Sequence, residues 1–572
     1  MESVAMMSYL GCISAYQYSL NGFSSRSIID GITWARACVA FYDDYLHIET
    51  PQSSSSMEVW AKYIQYAEGA MTATQMANHL LAVNRDDSWF KSQAKWFEKK
   101  SESISDVLYS NIAGKEYLFL NYPILKYKAY KITSSYLIKN GNLKLFQDVF
   151  AKRIEAFKNL IEDANQNNIS SVLIPAELTE LKTLLCRTVI ENEFCKKAGP
   201  NYERFCMENL IKLQDISYSL NKEKPCSHFP NYSLRDIQNS LSETDCAILH
   251  FEAPIISGQL YSQHNLGTRF RNYALIITKN QECPDVWVRG QISDSRVNSL
   301  YKIKDCYPGA KRFFCVGTPR MSFIDFAGND SSIVRLHSLS QLLEKHEKES
   351  ANKEITFIGD LKYLKDDERP SNKPKHKGAF ELDNLDGPAI ELSLIKALYT
   401  NVRSVCGDDA TKNIVANEIS RSKGILHIST HGMLLKSDKE YDFEDLALKR
   451  NIMENSRLAL SGYNEAPNSP MSYISGSDVL KIRKIYASTV FLDACLSGHG
   501  SVGMSGSVGL AEAFYLIGAK NIICYLESVE DNVATRFSNI FYTELSKGAS
   551  CHDAFFTAKR KINQNVKVIL WE

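Results

Sequence analysis

The alternation of strand-like and helix-like segments is the feature that most constrains what this chain can fold into. From Gly387 onward, short apolar runs alternate with amphipathic stretches whose apolar residues recur at helical spacing. The strand-like runs are GILHIST, STVFLDAC and NIICYLE. Runs that are apolar on both faces are typical of parallel sheets covered by helices. The pattern therefore predicts a mostly parallel α/β sheet flanked by helices, with its chemistry beyond the carboxyl ends of the strands.

The first part of the chain has a different pattern. Residues 1 to about 225 place apolar residues at three- and four-residue steps, as in MEVWAKYIQYAEGAMTATQMANHLLAV and KLFQDVFAKRIEAFKNLIEDA. Short polar breaks separate these stretches, which predicts paired helices joined by short turns. No fixed period of about 34 residues can be followed through them. A helical-repeat region and an irregular helical bundle therefore both remain open, and strand-like runs begin only after NKEKPCSHFPNYS.

Charge and cysteine content exclude several classes of protein. The 572 residues include 66 Lys and Arg and 66 Asp and Glu, so the balance of charge favours neither nucleic acid nor an anionic membrane as a main partner. The N-terminus lacks the basic segment of a signal peptide, and no run of 18 apolar residues occurs. The 14 cysteines are scattered rather than arranged as a disulfide framework. We expect a soluble, cytoplasmic protein with mostly free thiols.

Metal and cofactor sites are not predicted. The pairs Cys226 with His228 and Cys551 with His552 lack a second pair at zinc-site spacing. The run GHGSVG at 498–503 fits the glycine pattern of a dinucleotide site, and Glu527 lies near the distance of a ribose-binding acid. However, such a fingerprint opens directly into a helix, whereas here the helix is predicted to begin near Ser507. Nucleotide binding is kept as an alternative, and the glycines are interpreted as a mobile loop.

Two predicted strands end in reactive residues. GILHISTHG ends at His431 and Gly432, and STVFLDAC ends at Cys495. If the two strands are neighbours in a parallel sheet, an imidazole base and a thiol nucleophile face one crevice. The imidazole raises the reactive fraction of the thiol, and the backbone N–H groups of Gly432 and Cys495 are candidates for an oxyanion hole.

At these residues the chain resembles the CHAT family, the caspase-HetF-associated-with-TPR domains of the caspase-like cysteine peptidases. The resemblance runs from TDCAILHFEAP through AIELSLIKAL, GILHISTHG and STVFLDACLSG to GLAEAFYLIGAKNIICYLESVEDNVATRF. It implies that His431 is the catalytic histidine and Cys495 the nucleophile of a caspase-like α/β fold. It also implies three regions: a TPR-like repeat or bundle at 1–150, a long helical pair at 151–234 and the protease domain at 235–572. Members of the family often act as regulated proteases in bacterial signalling or defence.

An acid two residues before the nucleophile suggests the specificity. Side chains alternate along a strand, so Asp493 is expected on the same side as Cys495. Metacaspases resemble this Asp-x-Cys-x-Ser-Gly arrangement and cleave after Arg or Lys, and a carboxylate prefers a guanidinium fork. The hypothesis is cleavage after Arg, then Lys, with Glu527 or Asp531 adding negative charge. The alternative is that Asp493 caps a loop or pairs with a local basic residue.

Regulation by a partner is the last expectation. A free thiol peptidase inside a cell is hazardous, and a long polar insertion, KSDKEYDFEDLALKRNIMENS, follows His431. We expect the helical region to bind an activating protein or complex that gates the loops after His431 and Cys495, so that the site acts on a protein substrate. The alternative is a catalytically silent caspase-like scaffold that serves as a protein-interaction module.

Overall fold

The computed structural model describes most of the chain, with gaps. The described residues are 25–82, 88–167, 177–178, 180–182, 184–185, 200–219, 232–254, 270–281, 285–289, 303–317, 325–343, 354–364, 381–434, 453–467, 469–482, 484–503, 506–562 and 566–572. The chain divides into two compact units, residues 1–210 with 253–271 and residues 211–252 with 272–572. Each unit is described here by itself.

The first unit is mainly helical in its described parts. Its helices are α1 (Ser25–Ile48), α2 (Met57–Ala82), α3 (Ser88–Ile112), α4 (Pro123–Lys139) and α5 (Leu143–Asn167), and α6 (Pro200–Ser219) begins in it. Consecutive helices pack against each other, α1 on α2, α3 on α4 and α4 on α5. Trp60 of α2 is fully buried and meets Phe119, which belongs to a short 3₁₀ turn, with ring centroids 5.4 Å apart. The apolar spacing of the sequence thus corresponds to packed helix faces.

The second unit contains the remaining helices and nearly all of the strand residues. Its helices are α7 (Leu234–Ser240), α8 (Gly387–Leu398), α9 (Lys412–Arg421), α10 (Gly476–Lys481), α11 (Leu510–Leu516), α12 (Asp531–Ser546) and α13 (Cys551–Ile562). Its strands are β1 (Asp245–Pro254), β2 (Phe270–Thr278), β3 (Asp285–Arg289), β4 (Arg312–Val316), β5 (Ile333–Leu336), β6 (Ile355–Leu361), β7 (Val402–Gly407), β8 (Lys423–Ser429), β9 (Gly432–Leu434), β10 (Ser456–Ala459), β11 (Tyr473–Ser475), β12 (Tyr486–Asp493), β13 (Gly500–Gly503), β14 (Gly506–Gly509), β15 (Asn521–Tyr525) and β16 (Val568–Trp571).

A six-stranded sheet forms the centre of this unit. The strand order is β16-β15-β12-β8-β6-β7, in which β16 runs antiparallel to β15 and the other neighbouring pairs are parallel. Helices cover both faces, because α9, α10 and α11 contribute to one apolar cluster and α8, α12 and α13 to the other. Alternate residues of β12 serve the two faces, with Val490 and Leu492 on one and Phe491 on the other. This burial on both faces is why the strands read as continuous apolar runs.

Three smaller sheets complete the described part of the unit. A five-stranded sheet has the order β3-β2-β1-β4-β5, with β1, β4 and β5 parallel. A three-stranded antiparallel sheet, β11-β10-β9, follows directly from the end of β8. Strands β13 and β14 form an antiparallel hairpin between Gly500 and Gly509. The last two sheets therefore lie in the two segments that follow His431 and Cys495.

The predicted helical region, followed by a mostly parallel α/β sheet with flanking helices, is confirmed. The prediction of a glycine-rich loop at 498–509 needs correction, because β13 and β14 pair there and α11 begins only at Leu510. Most of the polar insertion after His431 lies outside the described residues. Among the described helices, none combines the length and apolarity needed to cross a bilayer.

Candidate active site

The pairing of β8 with β12 determines where His431 and Cys495 lie. The two strands are parallel neighbours, and their register ends with Ser429 opposite Asp493. One further backbone hydrogen bond follows, in which the N–H of Thr430 donates to the carbonyl oxygen of Asp493 over 3.2 Å. His431 and Cys495 are each two residues beyond that last pair. The structure therefore brings the two predicted residues to the same edge of the sheet, at the carboxyl ends of adjacent strands.

Gly432 is in direct contact with the cysteine backbone. A Cβ atom at this position would collide with the carbonyl oxygen of Cys495 and lie 3.2 Å from the Cβ of Ala494. Only a residue without a side chain allows the two strand ends to approach this closely. Gly432 is therefore required for the ends of β8 and β12 to lie this close together.

The His431 ring is half-buried and held from two directions. Its Nε2 lies 2.6 Å from the carbonyl oxygen of Asp383, and its ring packs against that of Tyr363 with centroids 5.1 Å apart. Because a carbonyl can only accept, Nε2 carries the proton, and in the neutral ring Nδ1 is the basic nitrogen. Behind the histidine, the Thr430 hydroxyl bonds the Tyr363 hydroxyl at 2.7 Å and donates to the carbonyl of Ala459 at 2.9 Å. These contacts give the imidazole a defined tautomer and orientation.

The Cys495 thiol is also half-buried and contacts the backbone of Val529. Its Sγ lies 3.4 Å from the Val529 N–H and 3.5 Å from the Val529 carbonyl oxygen. The N–H can donate to the sulfur, and the carbonyl can accept from the thiol. The sulfur is therefore placed by backbone groups of Val529, near the end of the segment between β15 and α12.

A sharp turn follows the cysteine. Leu496 has a φ of 57°, in the left-handed region that costs a non-glycine residue about 1–2 kcal/mol. Two hydrogen bonds hold the turn. The Ser497 hydroxyl donates to the Leu492 carbonyl at 3.0 Å, and the Gly498 N–H donates to the Tyr525 carbonyl at 2.9 Å. Strain that is held in this way next to a reactive group is common at functional sites. Here it places Cys495 at the beginning of a turn tied to the end of β15.

Asp493 lies inside the protein beneath the cysteine, in a cluster with Glu391 of α8 and His427 of β8. The exposed fractions of the three residues are 5%, 1% and 0%. His427 Nε2 is 3.2 Å from Glu391 Oε2 and 3.8 Å from Asp493 Oδ2. Burial raises the pKa of Asp493 well above its ordinary value, and the negative charge of Glu391 raises it further. We call these three residues the buried triad.

The other two predicted acids have different surroundings. Glu527 forms an ion pair with Lys567 at the surface. Asp531 accepts hydrogen bonds from the backbone N–H groups of Asp386, at 3.1 Å, and Gly387, at 2.8 Å, so it caps the start of α8. Burial raises the pKa of Asp531 although these N–H bonds act to lower it. Asp531 and Asp493 are close enough for their charges to interact, whereas the partner of Glu527 is a surface lysine.

Sequence reasoning did not identify Glu391 or His427 as site residues. One signal for Glu391 was present, because it shares a helical face with Pro388 and Ile395, both buried. An acid on an apolar helix face needs a buried partner. That partner, on β8 and β12, depends on the tertiary fold.

Comparison with known proteins finds similarity to a family model and to solved structures. Residues 326–569 match the family model described as the CHAT domain. A chain in crystal structures of the Saccharomyces cerevisiae separase–securin complex is similar at 11% and 12% identity, with TM-scores of 0.42 and 0.39. The two alignments cover 98% and 96% of this chain and 48% of the matched chain, so the protein spans about half the length of those structures. No curated protein matches the chain.

The contact at Gly432 gives a test of the convergence. We expect Gly432→Ala to lower the free energy of unfolding by about 1–3 kcal/mol, because the added methyl group forces the ends of β8 and β12 apart. Gly309→Ala is the matched control, since a Cβ there meets nothing within 4 Å, and we expect a change within about 0.5 kcal/mol. Urea unfolding of the full chain measures both. Equal stability of Gly432→Ala and the unsubstituted protein would show that the strand ends do not touch.

Proposed function

We propose that this protein is a cysteine endopeptidase in which His431 is the general base and Cys495 the nucleophile. The observation that carries the proposal is the strand register, which ends two residues before each of them and brings both to one edge of the central sheet. The CHAT domain match over residues 326–569 contains both residues and belongs with a caspase-like peptidase fold. The proposed reaction is attack of the Cys495 sulfur on a peptide carbonyl, followed by hydrolysis of the thioester.

The contacts of His431 support its proposed role as the base. Its Nε2–H is engaged by the Asp383 carbonyl, so Nδ1 is the nitrogen that takes the thiol proton and later gives it to the leaving amine. Contact with the Tyr363 ring limits rotation of the imidazole. A carbonyl in place of a carboxylate orients the imidazole without adding a buried negative charge. The catalytic unit is therefore a dyad rather than a triad with an acid.

The proposed oxyanion hole is consistent with the direction of the Gly432 N–H. In the antiparallel pair of β9 and β10, the Ala459 N–H donates to the His431 carbonyl at 2.9 Å. Hydrogen-bonded and non-hydrogen-bonded positions alternate along such a pair. Gly432 lies opposite Leu458, next to the hydrogen-bonded position of His431, and is therefore at a non-hydrogen-bonded position. Its N–H then points away from β10. Together with the N–H of Cys495, it is our candidate donor to the negative oxygen that forms on attack.

The cluster of acids beneath the cysteine supports a preference for a basic P1 side chain, because a substrate cation would stabilise their ionised form. Asp493 and Glu391 lie together, and Asp531 is near enough to raise the pKa of Asp493. Within the described residues, the ion-pair partner of Glu391 and Asp493 is His427, and no lysine or arginine joins them. A guanidinium group of the substrate would supply the missing positive charge. We propose cleavage after Arg, then Lys, with a smaller contribution from Glu527 at the surface.

Activation by a partner completes the proposal. The segment after His431 leads through β9 into residues 435–452, and the segment after Cys495 forms the β13–β14 hairpin. Both follow a catalytic residue, so a change in either one alters the geometry of the dyad. We propose that a protein or complex bound by the helical region adjusts these segments and thereby activates the peptidase.

Substitution of the dyad tests the activity. We expect Cys495→Ala to abolish cleavage of a fluorogenic peptide and His431→Ala to lower kcat/KM by about 10²–10⁴-fold, because the thiol loses its base. Cys306→Ala is the control, since that cysteine is exposed and remote in the sequence from the dyad. Retention of cleavage by Cys495→Ala would contradict the proposal. Loss of cleavage in every form of the protein, with partner binding intact, would favour the silent scaffold.

The P1 preference is tested with a peptide panel that varies only that residue. We expect kcat/KM in the order Arg, Lys and then apolar or acidic residues. Asp493→Asn should lower kcat/KM for P1 Arg by about 10²-fold or more, because a buried charge pair is worth a few kcal/mol. Glu527→Gln should lower it by less than about 10-fold, because that acid is exposed and already paired with Lys567. A preference for P1 Asp, or for apolar P1, would overturn the assignment.

Regulation predicts low turnover by the isolated chain. We expect kcat of the purified protein to rise by at least about 10-fold when a protein that co-purifies with the full chain is added back. The reason is that binding energy shifts the segments after His431 and Cys495 towards their active arrangement. The measurement is kcat with a P1 Arg peptide at saturating concentration. A kcat near the enzyme median of about 10 s⁻¹ without any partner would contradict the gating.

A further inference from the structure

The buried triad of Glu391, His427 and Asp493 has three donor atoms that face one another. One atom from each side chain lies within 4.8 Å of the other two. Two of the separations are 3.2 Å, between His427 Nε2 and Glu391 Oε2, and 3.8 Å, between His427 Nε2 and Asp493 Oδ2. Among the residues that the structure describes, this is the one group of at least three His, Cys, Asp or Glu side chains whose ligand atoms lie close enough together to hold a metal ion.

The converging atoms are buried without hydrogen-bond partners. Glu391 Oε2, His427 Nε2 and Asp493 Oδ2 each have none among the described residues. A buried polar atom without a partner costs about 1–3 kcal/mol, and more when it is charged. Three such atoms that point into one space indicate an occupant that accepts three lone pairs. Two carboxylates and one imidazole would offset the charge of a divalent cation.

The spacing agrees with a metal site. Tetrahedral coordination with metal–donor bonds of about 2.0–2.2 Å separates the donor atoms by roughly 3.3–3.6 Å. The two separations measured at His427 Nε2, 3.2 Å and 3.8 Å, lie on either side of that range. Three protein ligands of this kind leave one position for a further donor. One nitrogen and two carboxylate oxygens suit zinc and the neighbouring transition metals better than magnesium or calcium.

The second nitrogen of the histidine is held as it is in metal sites. His427 Nδ1 lies 2.9 Å from the hydroxyl of Tyr542, a buried residue of α12. Ligating histidines usually donate their other ring N–H to an oxygen, which fixes the tautomer that leaves Nε2 free for the metal. The rings of Phe357 and Phe491 pack on either side of the imidazole, with centroids 5.0 Å and 4.7 Å away. The ligand is therefore oriented before any ion binds.

We propose that Glu391, His427 and Asp493 form a binding site for a divalent transition-metal ion of the zinc class. The sequence analysis predicted no metal site, because these ligands lie on three separate elements and have no recognisable spacing. The regulatory consequence rests on the proposed function: Asp493 is also the proposed acid for a basic P1 side chain. A bound ion then excludes that side chain, so the metal is an inhibitor of cleavage after Arg.

The competing explanation for the triad is a shared proton. If one carboxyl group is protonated, it can donate to the other, and the cluster needs no metal. This explanation predicts that added metal leaves the triad unchanged. The two explanations therefore differ in a binding measurement that involves no catalysis.

The test is equilibrium dialysis of the full chain carrying Cys495→Ala against Co²⁺, a spectroscopic substitute for Zn²⁺. Use of the Cys495→Ala protein makes the result independent of peptidase activity and removes the nearby thiol as a ligand. We expect one bound ion per chain whose visible spectrum shows nitrogen and oxygen ligands without thiolate bands. Adding Glu391→Gln or Asp493→Asn should weaken binding by more than about 100-fold, and Tyr542→Phe should weaken it by about 10-fold. Glu544→Gln, on the same helix as Tyr542 but paired with surface lysines, should change nothing.

The outcomes are decisive. Failure of the protein to bind Co²⁺, or binding that Glu391→Gln and Asp493→Asn both leave unchanged, would overturn the metal site. If either variant fails to fold, the other variant and Tyr542→Phe still give a result. A chain that binds the ion at the triad but does not cleave peptides retains the metal site and loses the proposed function. A chain that cleaves after Arg but does not bind the ion retains the proposed function and loses the metal site.

Discussion

The register between β8 and β12 is the constraint on which the rest of the site depends. Its last pair, Ser429 with Asp493, and the following bond from the Thr430 N–H determine which residues leave the sheet side by side. A slip of one residue would turn every side chain of one strand to the opposite face. That slip would separate His431 from Cys495 and Asp493 from His427 at once. The apolar clusters on both faces of the sheet resist it, because each face requires its own set of residues.

The same register produces two chemically different environments, one above the other. At the rim, His431 and Cys495 are half-buried and contact backbone groups of Asp383 and Val529. One step deeper, on the face of the sheet that carries Phe491, Asp493 meets Glu391 and His427 away from water. The rim suits covalent chemistry, which needs access for a substrate. The deeper layer suits recognition of a positive charge, whether that charge belongs to a side chain or to an ion.

The sequence carries enough information for the parts of the structure that follow from local periodicity. Strands such as 424–430 and 488–495 could be recognised because burial on both faces leaves a continuous apolar run, and their reactive end residues pointed to the rim. The hairpin at 500–509 was not predicted, since glycine-rich runs carry little side-chain information and pairing across the turn is a tertiary choice. Glu391 was missed for a related reason. Its partners are on strands remote in the sequence, and only the fold shows that an acid on an apolar helix face meets a histidine and a second acid.

The central claim is that Cys495, activated by His431, is the residue that attacks a substrate bound with a basic side chain beneath it. Covalent trapping tests this claim most directly: the full chain is incubated with a peptidyl chloromethyl ketone that carries Arg at P1, and the modified residue is located by mass spectrometry. We predict a single adduct on Cys495 that forms far more slowly when the reagent carries an apolar P1 residue. An adduct on other cysteines at equal rates, or no preference between the two reagents, would contradict the account.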